Sequence, residues 1–193
     1  MNELSSAADA MLLCMGAAHG AAESADAHGR FLAELREYEG GPVIWTAEFD
    51  NVVCTLGKNA MFNAGFAGSS YSVTGPYLGL ISSASFTAVS AADTMASHAG
   101  WLEAGSANAP TYSGNRGAAA FAAASGGSIA LSSNPSFTFT GSGTVQGAFL
   151  TFGAGAVNTV GSTAGTLWSA GTFATAQPVI SGNVLTVSYS ASM

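Results

Sequence analysis

The chain has 193 residues, enough for one compact domain and an appendage. Hydrophobic residues make up 48% and charged residues only 8%, against roughly 25% charged in an average soluble domain. Four Lys and Arg in a chain of net charge −7 argue against nucleic acid, whose phosphates need clustered cations, and against a basic helix on a membrane surface.

No apolar run reaches the roughly 18 residues that span a bilayer. The stretch "MNELSSAADAMLLCMGAAHG" lacks the basic start of a signal peptide, so synthesis in a cytosol is expected. There Cys14 and Cys54 are expected as free thiols. A disulfide between them stays open, and two cysteines alone make a poor zinc site. The charges are unevenly placed: residues 1–50 hold nine acids and two bases, and from Gly117 to Met193 there is no Asp, Glu, Lys, Arg or His. Such a surface is solvated by hydroxyls and backbone and is prone to association. That is the pattern of a protein that works inside an assembly.

In chain order, Leu4, Ala8, Met11, Leu12 and Met15 form the stripe of an amphipathic helix over 3–15, interrupted by Gly16 and Gly20. Residues 22–38 also read as helical, with Phe31, Leu35 and Tyr38 on one side and Glu34 and Glu37 on the other. "EGGP" at 39–42 stops that helix. An acidic helical arm, residues 1–42, is thus expected ahead of a β domain, residues 43–193. Two roles fit the arm: a helical hairpin packed on its own domain, or a tether to a neighbouring subunit. As a tether it would tolerate Phe31→Ala with Leu35→Ala without loss of the β fold; as part of the core it would not.

After Pro42 the chain turns β-branched and aromatic. "VIWTAEFDNVVCTL" (43–56) reads as one or two strands, and "KNAMFNAGFAG" (58–68) as a short helix ended by glycine. Further strands are expected over 76–83, 118–124, 136–141, 144–152, 166–173 and 183–190. Phe137 and Phe139 alternate with Ser136, Thr138 and Thr140, which marks a half-buried strand. Turn signals at 125–127, 133–135, 141–143 and 181–183 separate these segments. The expected fold is mainly β: an antiparallel β-sandwich or jelly roll with a short N-terminal helical arm. No fixed-period repeat is present.

The segment with the most chemistry is "ADTMASHAGWLE", residues 91–102. Asp93, Ser97 and His98 are the residue types of a hydrolytic triad, but Ser97 adjoins His98 and no G-x-S-x-G elbow occurs. The expected role is structural: Asp93 and Thr94 cap a turn and Trp101 anchors the loop. His19, His28 and His98 are scattered with no metal-ligand spacing. Glu48, Asp50 and Asn51 are thin support for calcium. Asp93 and Glu103 are the only acids beyond residue 50, too few for a convincing glycosidase pair. No catalytic, metal or cofactor site is expected. Arg116, in "SGNRGAAAF" (113–121), has two possible roles: pairing with a carboxylate across an interface, or standing in a loop with a water shell.

The segments "GKNAMFNAGFAGSSYS", "PYLGLISS", "FTAVSAADTMASHAGWLE", "AAFAAASGGSIALSSNPSFTFTGSGTVQGAFLT", "GTLWSAGTF" and "VLTVSYSAS" together carry a resemblance. From Leu56 onward the chain resembles a family of small structural proteins encoded in the morphogenesis regions of tailed bacteriophages. The resemblance rests on a Gly-Lys-Asn helix start, a Gly-Leu-Ile strand, an Asp-Thr-Met loop ending in Gly-Trp, and a closing strand of alternating Val and Tyr. It implies a virion protein made in the host bacterial cytoplasm, with an antiparallel β-sandwich and no catalytic residues. The first implied role is a capsid decoration (cement) protein, bound to the major capsid protein or other virion proteins as a homodimer or trimer. The alternative is a tail-associated or fibre protein in host recognition. Residues 1–50 depart from that pattern. Phe31, Leu35, Tyr38 and Arg116 are the candidate subunit or capsid contacts.

Overall fold

Alternation, rather than helical periodicity, sets the first element. The computed structural model describes residues 27–68 and 74–193. The first described element is a strand, β1 (His28–Arg36), within the stretch 22–38 where a helix was expected. Phe31 and Leu35 suit either period. Ala33 and Leu32 decide between them: Ala33 is fully buried and Leu32 half exposed, so only odd positions face the core. "EGGP" therefore turns a hairpin instead of ending a helix. Glu37 N–H donates to the Pro42 carbonyl at 3.1 Å and Gly41 N–H to the Tyr38 carbonyl at 2.9 Å, with Gly40 at φ 70°. The helix expected over 3–15, together with Cys14, lies outside the described residues.

The other elements are β2 (Val43–Val53), α1 (Thr55–Gly65), β3 (Tyr77–Ser82), β4 (Leu102–Glu103), β5 (Gly117–Ala118), β6 (Ser128–Ala130), β7 (Ser136–Thr138), β8 (Gly143–Phe152), β9 (Thr166–Val179) and β10 (Val184–Ser192). The described residues form a mainly antiparallel β-sheet domain with one short helix. The ten strands follow the order β4-β3-β8-β9-β2-β1-β10-β6, with β5 added on β3 and β7 on β10. β1 sits between β2 and β10, pairing Phe31 with both Phe49 and Tyr189. Residues 28–36 are thus an interior strand of the sheet, and β1 and β2 pair across the boundary expected at residue 42.

Three longer strands were legible in place: 77–82, 143–152 and 184–192 fall within two residues of expectation. The run "AAAFAAA" (118–124) is different. Only Gly117–Ala118 is a strand, with a single bridge from Phe121 to Leu131. Alanine side chains have little area to bury and so little to hold a strand down.

Among the described residues two clusters fill the interior. The larger gathers Phe31, Leu35, Leu78, Leu80, Phe137, Leu150, Phe173 and Leu185, among others. The second holds Cys54, Ile81, Met95, Trp101, Phe149 and Leu167. Neighbouring residues on one strand feed opposite clusters: Leu80 and Ile81 on β3, Leu150 and Phe149 on β8. These strands bury both faces, which accounts for their continuous apolar runs. The loop between β3 and β4 covers the second face.

Candidate functional site

The loop over residues 83–101 is held by its tryptophan. Trp101 is fully buried against Phe149, with ring centroids 5.1 Å apart. A buried indole N–H needs an acceptor, and Asp93 Oδ2 takes it at 2.9 Å. The same oxygen accepts the Ser90 backbone N–H at 2.9 Å, closing the turn that the sequence placed at Asp93. His98 stacks on the indole at 3.8 Å and 19°, and its Nδ1 lies 2.9 Å from the Trp101 carbonyl oxygen. A carbonyl only accepts, so Nδ1 carries the proton. Asp93 and His98 are thus brought to the same tryptophan rather than to each other. The Ser97 N–H bonds back to the Thr94 hydroxyl at 2.9 Å. The segment is a loop clip with a tryptophan anchor.

Cys54 lies beneath this loop, fully buried, its thiol 3.9 Å from the carbonyls of Val52 and Ser90. Burial pushes the thiol pKa up to about 12, and the nearby Asp93 charge adds to that. At neutral pH it is a small apolar filler with no thiolate to offer.

Arg116 corrects both roles expected for it. Its side chain is fully buried and pairs with Glu103 of the same chain. Nε and one Nη donate to the two carboxylate oxygens at 2.7 Å each. The remaining donors reach the carbonyls of Ser162 at 2.7 Å and Val157 at 3.2 Å. Glu103 also accepts the Gly161 N–H at 2.7 Å, and the guanidinium sits 5.3 Å from the Phe149 ring centroid. A buried charge survives only when paired and hydrogen-bonded, and this one is both. The pair ties the loops at 104–116 and 153–165 to β4. Gly79 makes room for it: a Cβ there would run into the Phe149 ring and come 3.1 Å from Glu103 Oε1. Tyr112 is buried nearby, and burial followed by the Glu103 charge pushes its phenol up.

Phe31 and Leu35 are likewise corrected as contact candidates. Both are fully buried in this chain's own core. Phe31 stacks on Phe49 at 5.1 Å and lies tilted against Tyr189 at 4.7 Å. Tyr189 is buried too, its hydroxyl accepting N–H bonds from Trp168 at 2.6 Å and Asn51 at 2.9 Å, and burial pushes its phenol up. Tyr38 is exposed, at the hairpin turn. The four candidates therefore do not converge on one surface.

Sequence reasoning expected a surface poor in charge but did not foresee that the last three charges lie inside. Beyond Lys58 the chain has three charged side chains, Asp93, Glu103 and Arg116, and all three are buried. The surface contributed by residues 59–193 presents no charged side chain. The signal was present in the sequence: three isolated charges in an apolar context are more easily satisfied by one another and by buried donors than by a solvated patch. Among the described residues no group of three His, Cys, Asp or Glu is placed to hold a metal, and no helix is long and apolar enough to cross a membrane.

No family model matches the chain, and neither a curated protein nor a solved structure matches it.

Proposed function

We propose that this chain is a structural subunit of a tailed-bacteriophage virion, and specifically a capsid decoration protein that stabilises the head shell. The proposal includes a sheet folded over itself as a sandwich or jelly roll, self-association, a major capsid protein as partner, and no catalytic role. The observation that carries it is the uncharged surface of residues 59–193, with Asp93, Glu103 and Arg116 drawn inside. A surface of Ala, Gly, Ser and Thr has no charge to desolvate or repel. It can pack closely against copies of itself and against a shell, where many weak contacts add. The resemblance of residues 56–193 to phage morphogenesis proteins gives this general property its particular setting. The sandwich is supported by the main core, which unites Phe31 of β1 with Leu80 of β3, strands separated in the sheet by β8, β9 and β2. Asp93 and His98, the best acid–base candidates, are both committed to Trp101.

The test is co-sedimentation of the purified chain with heads of the phage that encodes it. Binding should saturate, and should change less than about twofold between low and high salt, because screening acts on charges this surface lacks. No binding at any salt would reject the decoration role, and a steep salt dependence would reject the uncharged face as the contact.

A further inference from the structure

A polar cleft opens where the sheet divides. β2 pairs with β1 as far as Asp50 and with β9 from Asn51 onward. The start of β1 stays with β10, His28 opposite Ser192 and Arg30 opposite Ser190. The departure of β2 leaves a cleft of ≈ 410 Å³ lined by His28, Gly29, Arg30, Asp50, Asn51 and the end of β10. That volume falls in the range of small-ligand sites, roughly 300–1,000 Å³. Alternation gives the cleft two kinds of lining. His28, Arg30, Asp50, Ser190 and Ser192 are exposed on the outward face, while Gly29 and Asn51 belong to the inward face with Tyr189.

Asn51 carries the argument. Its Nδ2 donates to the Tyr189 hydroxyl at 2.9 Å, while its Oδ1 is buried with no hydrogen-bond partner. Turning the amide over would let the phenol donate to Oδ1 and leave Nδ2 without a partner, so one end of the amide stays open either way. Buried side-chain polar atoms are nearly always bonded, so an open one in a cleft wall marks a place for a ligand's polar group. Gly29 puts no side chain into this corner: a Cβ there would collide with the Tyr189 hydroxyl and come 2.5 Å from Asn51 Nδ2.

We propose that this cleft binds a saccharide, with Asn51 and Asp50 bonding its hydroxyls and His28, Ser190 and Ser192 at the rim. The chemistry of the lining selects that class. A sugar hydroxyl donates and accepts at once, which matches an amide, two serine hydroxyls, an imidazole and a carboxylate set side by side. An anion would meet Glu48 and Asp50, whose carboxylates already flank the Arg30 guanidinium at 2.8 and 3.4 Å. A divalent cation would meet Arg30, and among the described residues no three His, Cys, Asp or Glu are grouped to hold one. An apolar ligand would leave the donors and acceptors of the lining unpaired. The inference is independent of any role in a virion.

The test titrates the isotope-labelled full chain with glucose, galactose, mannose, rhamnose and N-acetylglucosamine, followed by NMR at the Gly29 backbone amide and the Asn51 side-chain amide. At least one sugar should move both signals saturably below about 50 mM. Asp50→Ala, at a side chain 82% exposed, should leave thermal unfolding unchanged. It should weaken the binding at least about tenfold, the loss of one hydrogen bond to a charged group. Thr46→Ala, on the outward face of β2 but outside the cleft, should change neither. No shift with any of these sugars, or shifts indifferent to Asp50→Ala, would overturn the proposal. So would a stronger response of the same two amides to sodium phosphate or calcium chloride, which would assign the cleft to an ion.

Discussion

Arg116 and Glu103 meet through two parallel 2.7 Å hydrogen bonds with the Arg116 side chain entirely out of water. Every guanidinium nitrogen has an acceptor, and Glu103 takes a further N–H from Gly161. Removing one partner leaves the other charge buried and unpaired, which costs about 3–5 kcal/mol. Glu103→Gln and Arg116→Met should each lower stability by about that amount. The double variant should lose clearly less than the sum, as urea unfolding of all four proteins would reveal.

Gly79 guards the same pair. Its Cβ would collide with Phe149 and crowd Glu103, so Gly79→Ala should cost about 1–3 kcal/mol by overpacking. A neutral result in thermal unfolding would mean that the Phe149 ring moves freely, contrary to its place in the second core.

The clip at Trp101 makes a distinction that a catalytic site would not. Trp101→Phe keeps an aromatic ring, though a smaller one, and removes the donor to Asp93, leaving Ser90 N–H as the remaining bond to that carboxylate. A buried polar group left short of a partner costs about 1–3 kcal/mol. Asp93→Asn retains an acceptor oxygen and should cost less. The order of the two denaturation midpoints checks the assignment.

Cys54 sets an alkaline limit. Its folded pKa lies near 12 against an ordinary 9.0, so between these values the unfolded chain releases a proton that the folded chain keeps. Stability must therefore fall as pH rises through that window, with the raised phenols of Tyr112 and Tyr189 adding to the loss above about pH 10. Cys54→Ala should delay the onset seen in pH-dependent unfolding. At neutral pH, thiol reagents should reach Cys54 only as fast as the domain opens.

Phe31 and Leu35 are the sharpest case of a misread element. Phe31→Ala should cost about 3–5 kcal/mol and Leu35→Ala about 2–5 kcal/mol, and the double variant should fail to fold. Far-UV circular dichroism distinguishes this from a tether, for which the β signal would survive.

Much of the fold was legible because alternation writes itself into sequence. Ser136 to Thr140, and Val184 to Tyr189, announce a face in and a face out. Residues 28–36 were ambiguous because Phe31 and Leu35 lie four apart, which satisfies a helix as well as a strand. Partners 150 residues away on β10 decided it. The Asp93 turn and the Trp101 anchor could be read from local spacing alone. Arg116 could not: nothing local links it to Glu103, thirteen residues back, or to the carbonyls of Val157 and Ser162. The apolar side chains of α1 were visible within residues 58–68, but not the exposure of Phe62 and Phe66, since exposure is a property of what packs around a helix.

The most direct test of the central claim is the copy number of this chain in purified particles, measured by quantitative mass spectrometry against the major capsid protein. A decoration subunit predicts a ratio near one to one, or a simple fraction of it. A few copies per particle would move the chain to the tail, and its absence from the particle would contradict the virion role altogether.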